Sequence, residues 1–298
     1  MNAMIGCSDA ALFNVMPLPA RLHLLREAGF DCVDFSLYLH SLRPDSPMCG
    51  EQWQDWVNKT QRTIQQSGLL VEQMHCVFDA KLAPDLSWEK PSDVYYRSIE
   101  ACAMMGCHRL IFHPLEHAFR MANEKNRELI LQANADWFRL LIACASQNGV
   151  ELHLENTFDF GNFQMAGDPV FPCATAADLI EIADRIDSPW VRFCLDTGHA
   201  NIAGQAISDM IHTLGDRLNS LHLNDNYGQI YPLYSDLHLF PGFGRIEWKP
   251  FFDALREIHY DGILNIEPVA ELRRSTPRIC HIQLKAAADV LKELAFTI

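Results

Sequence analysis

The sequence predicts an α/β chain folded as one (β/α)8 barrel, the TIM-barrel architecture, spanning residues 1–298 as a single domain. Short apolar or alternating runs suited to strands take turns with longer amphipathic runs suited to helices. The 298 residues match the length of eight such units. No stretch reads as a linker, a repeat or low-complexity sequence. A doubly wound sheet is the rival, but it calls for a glycine-rich phosphate turn after its first strand. SDAALFNV does not supply one.

The expected strands, in order, are MIGCSD, DCVDFSLY, VEQMHCVF, RLIFHP, VELHLEN, VRFCLDT, SLHLNDN and GILNIEP. Helical stretches between them include PARLHLLREAGF, SDVYYRSIEACAMMG, NRELILQANADWFRLLIACASQNG, TAADLIEIADRI, WKPFFDALREIHY and RICHIQLKAAADVLKELAF. Ser92 and Thr175 stand where N-caps belong, and Gly29, Gly106 and Gly149 where helices stop. Two long non-helical segments follow the fifth and seventh strands, NTFDFGNFQMAGDPVFPCA and NDNYGQIYPLYSDLHLFPGFG. Loops of that length in a compact domain tend to be functional.

The charge balance narrows the partners. A formal net charge of −14 disfavours a broad nucleic-acid footprint, so no nucleic-acid partner is expected. No apolar run reaches the ~18 residues of a membrane span, and MNAMIGCSDAALF lacks a leader pattern. A cytoplasmic setting is expected. Ten cysteines without a CxxC pair, among them Cys76, Cys102, Cys107 and Cys194 inside apolar runs, read as reduced core residues.

Side-chain parity along the strands carries the functional reading. Leu152 and Leu154 oppose Glu151, His153 and Glu155; Val191, Phe193 and Leu195 oppose Arg192, Cys194 and Asp196. Leu221 and Leu223 oppose Ser220, His222 and Asn224; Leu264 and Ile266 oppose Asn265 and Glu267. The apolar set must face the helices, so the polar set points inward, where it needs hydrogen bonds, ion pairs or a ligand. The last inward residues are Glu155, Asp196, His222 and Glu267, at the C-terminal mouth where barrel active sites lie. Three crowded carboxylates repel unless a cation holds them. One histidine and three carboxylates suit Mn, Mg, Co or Zn as a divalent metal cofactor. No organic cofactor is expected. The competing interpretation is a salt-bridged mouth neutralised by Arg192 and other bases.

Several other residues are placed by the same argument. His153, one layer below Glu155, reads as a satisfied interior histidine with Arg192 and Glu151 nearby. His117 reads as an exposed loop histidine. Arg120 and Arg245 are the bases nominated to meet a ligand, Arg245 because it follows PGFG, with a solvated surface arginine the alternative for each. Phe158, Phe160 and Phe163 could form an apolar wall over a ligand or equally pack under the long loop, and Trp248 and Phe252 read as core.

The ordered motifs HLEN, CLDTGHAN, HLND, DLHLFPGFGRIEW and NIEP resemble the xylose isomerase-like TIM-barrel superfamily over nearly the whole chain. That group includes sugar and sugar-phosphate isomerases and epimerases, and the AP endonuclease family 2 type. The resemblance to its ketose 3-epimerases implies that Glu155, Asp196, His222 and Glu267 bind one divalent metal. It also implies that Glu155 and Glu267 form the acid–base pair and that His199, on the loop beyond the strand, contacts substrate. The chemistry implied is isomerisation or epimerisation of a small-molecule sugar, sugar phosphate or polyol through an enediolate. A dehydratase of a cyclic ketopolyol shares its opening step. Resemblance to the endonuclease type implies instead a three-zinc phosphodiesterase centre drawing also on His75, His113, His199, Asp236 and His238. A sugar-binding barrel without catalysis is the third alternative. Barrels of this group often pair, so a homo-oligomer is an expectation.

Overall fold

Parallel strands buried on both faces need a helix after each strand to cover the outer face. The computed structural model, which describes residues 4–117, 123–158, 171–228, 236–269 and 272–297, has this arrangement. The strands are β1 (Ile5–Ser8), β2 (Cys32–Ser36), β3 (Leu70–His75), β4 (Arg109–Phe112), β5 (Glu151–Glu155), β6 (Val191–Asp196), β7 (Leu218–His222) and β8 (Leu264–Ile266). Among the described residues they form an eight-stranded parallel sheet in the order β7-β6-β5-β4-β3-β2-β1-β8. The remaining seam is bridged just past β7, where Leu223 N donates to Asn265 O at 2.8 Å and Glu267 N to Leu223 O at 3.0 Å. This is a (β/α)8 TIM barrel, nearly closed.

The helices are α1 (Leu18–Ala28), α2 (Trp53–Ser67), α3 (Asp93–Met104), α4 (Glu124–Asn148), α5 (Ala176–Ile186), α6 (Thr197–Ile202), α7 (Ile207–Leu214), α8 (Trp248–Glu257) and α9 (Pro277–Thr297). Gly29 and Gly149 end α1 and α4 in the left-handed conformation. The Thr175 side chain caps α5 through Asp178 N, whereas Ser92 occupies the N-cap of α3 without a side-chain bond. The absent Ser92 bond leaves the first turn of α3 to Asp93, whose charge suits the positive helix end. No helix among the described residues is long and apolar enough to cross a membrane.

The parity rule holds in the barrel wall. Leu152, Leu154, Phe193, Leu195, Leu221, Leu264 and Ile266 are buried in the apolar layer, each side chain contributing roughly 1.5–3 kcal/mol. Register sets the depth of the polar set: Asp196 pairs with His222, Glu155 with Cys194 and His75 with Ile111. Below them His153 is satisfied inside the barrel, by Ser220 Oγ at 2.7 Å and Glu151 Oε2 at 3.3 Å. Arg192 Nε donates to Glu151 Oε1 at 3.2 Å. Cys76, Cys102, Cys107 and Cys194 are buried.

His40, just after β2, lies away from the mouth. Its ring stacks on Phe35 at 5.5 Å and packs on Trp56 at 4.6 Å, with Nε2 buried and unbonded. Burial, then the Arg21 charge, lowers its pKa to about 4. The folded pKa is below the unfolded one, so its contribution is present above the ordinary histidine pKa of about 6.5 and disappears as pH falls through about 4. His40→Phe is expected to remove about 1–2 kcal/mol of the stability lost on that acid side. Urea midpoints of both proteins at pH 7.5 and 4 check this; equal acid losses would refute it.

Candidate metal centre

At the C-terminal mouth, β5, β6, β7 and the segment after β8 present Glu155, Asp196, His222 and Glu267, all buried. One ligand atom from each lies within 4.8 Å of the others. His222 Nδ1 is 2.9 Å from Glu155 Oε1 and 3.5 Å from Glu267 Oε2. The four strand-end residues read from parity therefore meet at one point. Cys194, one layer down on β6, brings its sulfur to the same cluster.

Asp196 is held from three sides. Its Oδ1 accepts from His199 N at 2.6 Å, so it is the N-cap of α6. Its Oδ2 accepts from Asn224 Nδ2 at 2.7 Å. Its own backbone is clasped by Asn156, whose Oδ1 accepts from Asp196 N at 2.8 Å and whose Nδ2 donates to Asp196 O at 3.0 Å. The small residues after Asp196 have a steric reason: a Cβ on Gly198 would fall 1.8 Å from Asn224 Oδ1. His199 sits in the first turn of α6 and not on a loop, because Asp196 caps a helix there.

Around this core stands a second ring. His75 Nε2 and His113 Nε2 stand 3.4 and 3.2 Å from Glu155 Oε2. His238 Nδ1 is 3.3 Å from Glu267 Oε2, and its Nε2 is 3.0 Å from Asp236 Oδ2. His199 Nε2 is 3.9 Å from the same Asp236 oxygen. His238 adopts a left-handed backbone, φ 47°, uncommon for a residue with a side chain. All nine residues named from the sequence thus lie at one mouth.

Electrostatics suit a cation. Burial alone would raise Glu155 and Glu267, but neighbouring imidazoles override it. His222 and His113 hold Glu155 well below the usual carboxylate range, and His222 and His238 hold Glu267 at about 2. Burial dominates at Asp196, lifting it to about 6. Burial opposes charge on His199, yet Asp196 and Asp236 bring it to about 10. His222 and His238 are also raised by the carboxylates around them, against burial. Asp236 Oδ1 is buried without a hydrogen-bond partner, and Glu155 Oε2 is buried with only the rings of His75 and His113 beside it. Hard oxygens and imidazoles converging with spare acceptor capacity fit a divalent cation.

The sequence reading missed two carboxylates. Asp34 on β2 accepts from His222 Nε2 at 2.9 Å. Applying the same parity to DCVDFSLY would have found it. Asp225 of HLND is buried and gathers the PGFG loop. Its Oδ1 accepts from Arg245 N and Ile246 N at 2.9 and 3.1 Å, and its Oδ2 from Gly242 N and Trp248 Nε1, both at 3.0 Å. Arg245 is thereby anchored through its backbone, with its side chain exposed. His117 is not an exposed loop histidine: it is half-buried and stacks on Phe171 at 4.0 Å, because that apolar ring covers it. Phe158 is buried with its ring 5.0 Å from His199. Arg120, Phe160 and Phe163 lie outside the described residues.

Comparison with known proteins gives a consistent family. A family model described as xylose isomerase-like TIM barrel matches residues 22–294. A D-psicose 3-epimerase of Enterocloster bolteae is 36% identical over 94 residues, 32% of this chain and 28% of the relative. The uncharacterized protein MJ1311 of Methanocaldococcus jannaschii is 31% identical over 140 residues, 46% and 43% of the two chains. The chain thus spans less than half the length of these two curated relatives. Among solved structures, a D-tagatose 3-epimerase-like protein superposes with TM-score 0.71 at 22% identity, over 98% of this chain and 96% of that one. The IOLI protein, described with a bound zinc atom, superposes with TM-score 0.75 at 17% identity over 99% and 100%. At such identities these structures speak for the fold.

The interlock around Asp196 yields a direct expectation. Gly198→Ala should push Asn224 off Asp196 and lower stability by about 1–3 kcal/mol, the usual range for overpacking. A thermal melt reads this; an unchanged midpoint would show that the close approach is not needed.

Proposed function

The chain belongs to the xylose isomerase-like TIM-barrel family, and from that premise we propose that it is a divalent-metal-dependent isomerase or epimerase of a keto-sugar, sugar phosphate or related ketopolyol. The observation that carries this reading is the convergence of Glu155, Asp196, His222 and Glu267 on one point within 4.8 Å. Those four residues would hold the ion, which when bound supplies electrophilic polarisation of the substrate carbonyl. Family relatives named D-psicose 3-epimerase support the substrate class.

The residues of the chain have distinct tasks in this reading. Epimerisation next to a carbonyl removes a weakly acidic proton and returns it on the other face. Glu267 is kept ionised at neutral pH by His222 and His238, against burial. Glu155 is likewise kept ionised by His222 and His113. The two glutamates are assigned the proton transfers through an enediolate. Asp196 and His222 complete the metal shell. His199, fixed by its Nδ1 donating to Asn156 O at 2.9 Å, turns its other edge toward Asp236 and the mouth and orients substrate. Arg245 is assigned to a substrate hydroxyl or phosphate. A dehydratase would begin with the same proton abstraction.

A second reading, a multi-zinc phosphodiesterase of the AP-endonuclease type, is favoured by one observation. His75 and His113 flank Glu155, while His199 and His238 flank Asp236, so ligand-type groups continue beyond the first four. The net charge of −14 works against a DNA substrate.

Metal content by elemental analysis separates the two. About one ion per chain, with deuterium from D2O appearing in a ketose substrate, is the expected result. Two or three tightly held zinc ions with incision of abasic DNA would replace the first reading by the second. Glu155→Gln and Glu267→Gln should each lower kcat roughly 10²–10⁴-fold. Either variant retaining kcat within threefold would remove that glutamate from the proton transfer.

A further inference from the structure

Of the imidazoles at the mouth, three have Nδ1 tied to a backbone carbonyl and a fourth is held differently. His75 Nδ1 donates to Cys76 O at 2.8 Å, His199 Nδ1 to Asn156 O at 2.9 Å and His238 Nδ1 to Glu267 O at 3.0 Å. All three use Nδ1 and a backbone carbonyl. His222 reverses the pattern: its Nε2 donates to a carboxylate, Asp34 Oδ2, at 2.9 Å. Its Nδ1 lies among the carboxylates that would share an ion with it, 2.9 Å from Glu155 Oε1 and 3.5 Å from Glu267 Oε2.

Asp34 is itself built in. It is fully buried on β2, and its Oδ2 also accepts from Gln73 Nε2 at 3.0 Å and Asn265 Nδ2 at 3.1 Å. Amides from β3 and β8 and the imidazole from β7 thus meet on one oxygen. Gly6 on β1 keeps room for this arrangement, since a Cβ there would stand 2.7 Å from Asn265 Oδ1. A buried carboxylate behind a ligating histidine fixes its tautomer and raises its basicity.

We propose that Asp34 is a positioning residue of the metal centre, holding His222 as the Nε2-protonated tautomer so that Nδ1 is the ligating atom. The inference rests on the metal reading above. Asp34 touches neither substrate nor ion; it acts through His222.

The test is affinity and tautomer, independent of turnover. Mn²⁺ and Zn²⁺ binding to the wild type and to Asp34→Asn is measured by chelator competition, and zinc-loaded wild type is examined by long-range ¹H–¹⁵N NMR of its histidines. The expected result is a 10–100-fold loss of affinity in Asp34→Asn, with His222 protonated at Nε2 and bare at Nδ1. Gln73→Leu, which removes another donor to the same oxygen but leaves His222 alone, should stay within threefold. Wild-type binding with Asp34→Asn within twofold, or His222 protonated at Nδ1, overturns the role of Asp34 and leaves the metal reading intact. No binding by the wild type overturns the metal reading and the positioning role with it. If Asp34→Asn does not fold, the wild-type spectrum alone decides.

Discussion

The mutual repulsion of carboxylates buried at one barrel mouth is the constraint around which this structure is organised. Glu155, Asp196 and Glu267 converge there, with Asp34 and Asp236 close by. Each acid taken from water loses hydration worth several kcal/mol, and each neighbour of like sign adds to that loss. The fold answers with imidazoles and amides on every side. Asn156 and Asn224 bind Asp196, Gln73 and Asn265 bind Asp34, and histidines stand between the remaining pairs. Glycines then become necessary where those amides need space, at Gly6 and Gly198. At Gly244 a Cβ would meet Asp225 Oδ1 at 2.2 Å, so the same logic extends to the loop that carries Arg245.

Legibility from sequence followed the range of the interaction. Glu155, Asp196, His222 and Glu267 were readable because the period of two in a strand is local, and a polar residue at the end of an alternating run announces itself. The barrel was readable for the same reason. Asp34 shares the parity of Cys32 and Ser36 and was within reach of the same rule; what parity could not give is its partner, since His222 lies 188 residues away. Asp225 was visible in HLND only as part of a motif. Its task, gathering backbone N–H groups about twenty residues downstream, belongs to a loop conformation that no periodicity encodes. Three helices are not among the stretches named from the sequence, for local reasons. The six residues of α6 and eight of α7 are too few to show a clear repeat, and α2 buries Trp53, Val57, Thr60 and Ile64 within an otherwise polar stretch.

The motifs that carry the resemblance prove to be mechanical parts as much as chemical ones. In CLDTGHAN the aspartate caps a helix, the threonine hydroxyl binds Asn224 O at 2.7 Å and the glycine admits Asn224. In HLND the asparagine steadies Asp196 and the aspartate steadies the PGFG loop. The order of motifs along the chain is therefore a contact map between neighbouring strand ends. A chain could keep these contacts while changing what it binds, which is why the motifs identify the family more firmly than the substrate.

The same argument applies to the number of ions. His75, His199 and His238 each have Nδ1 tied to a backbone carbonyl, so their Nε2 atoms are directed by main-chain geometry. His222 is directed by a buried side chain, Asp34. A backbone carbonyl orients a ring without adding net charge, whereas a carboxylate also makes the ring a better donor to a cation. If nine ligand-type residues were equivalent, three ions would be the natural inference. They are not equivalent: the strongest electrostatic support lies behind His222, between Glu155 and Glu267. In the proposed reading, that asymmetry favours one ion at the centre of the mouth, between the two glutamates assigned the proton transfers.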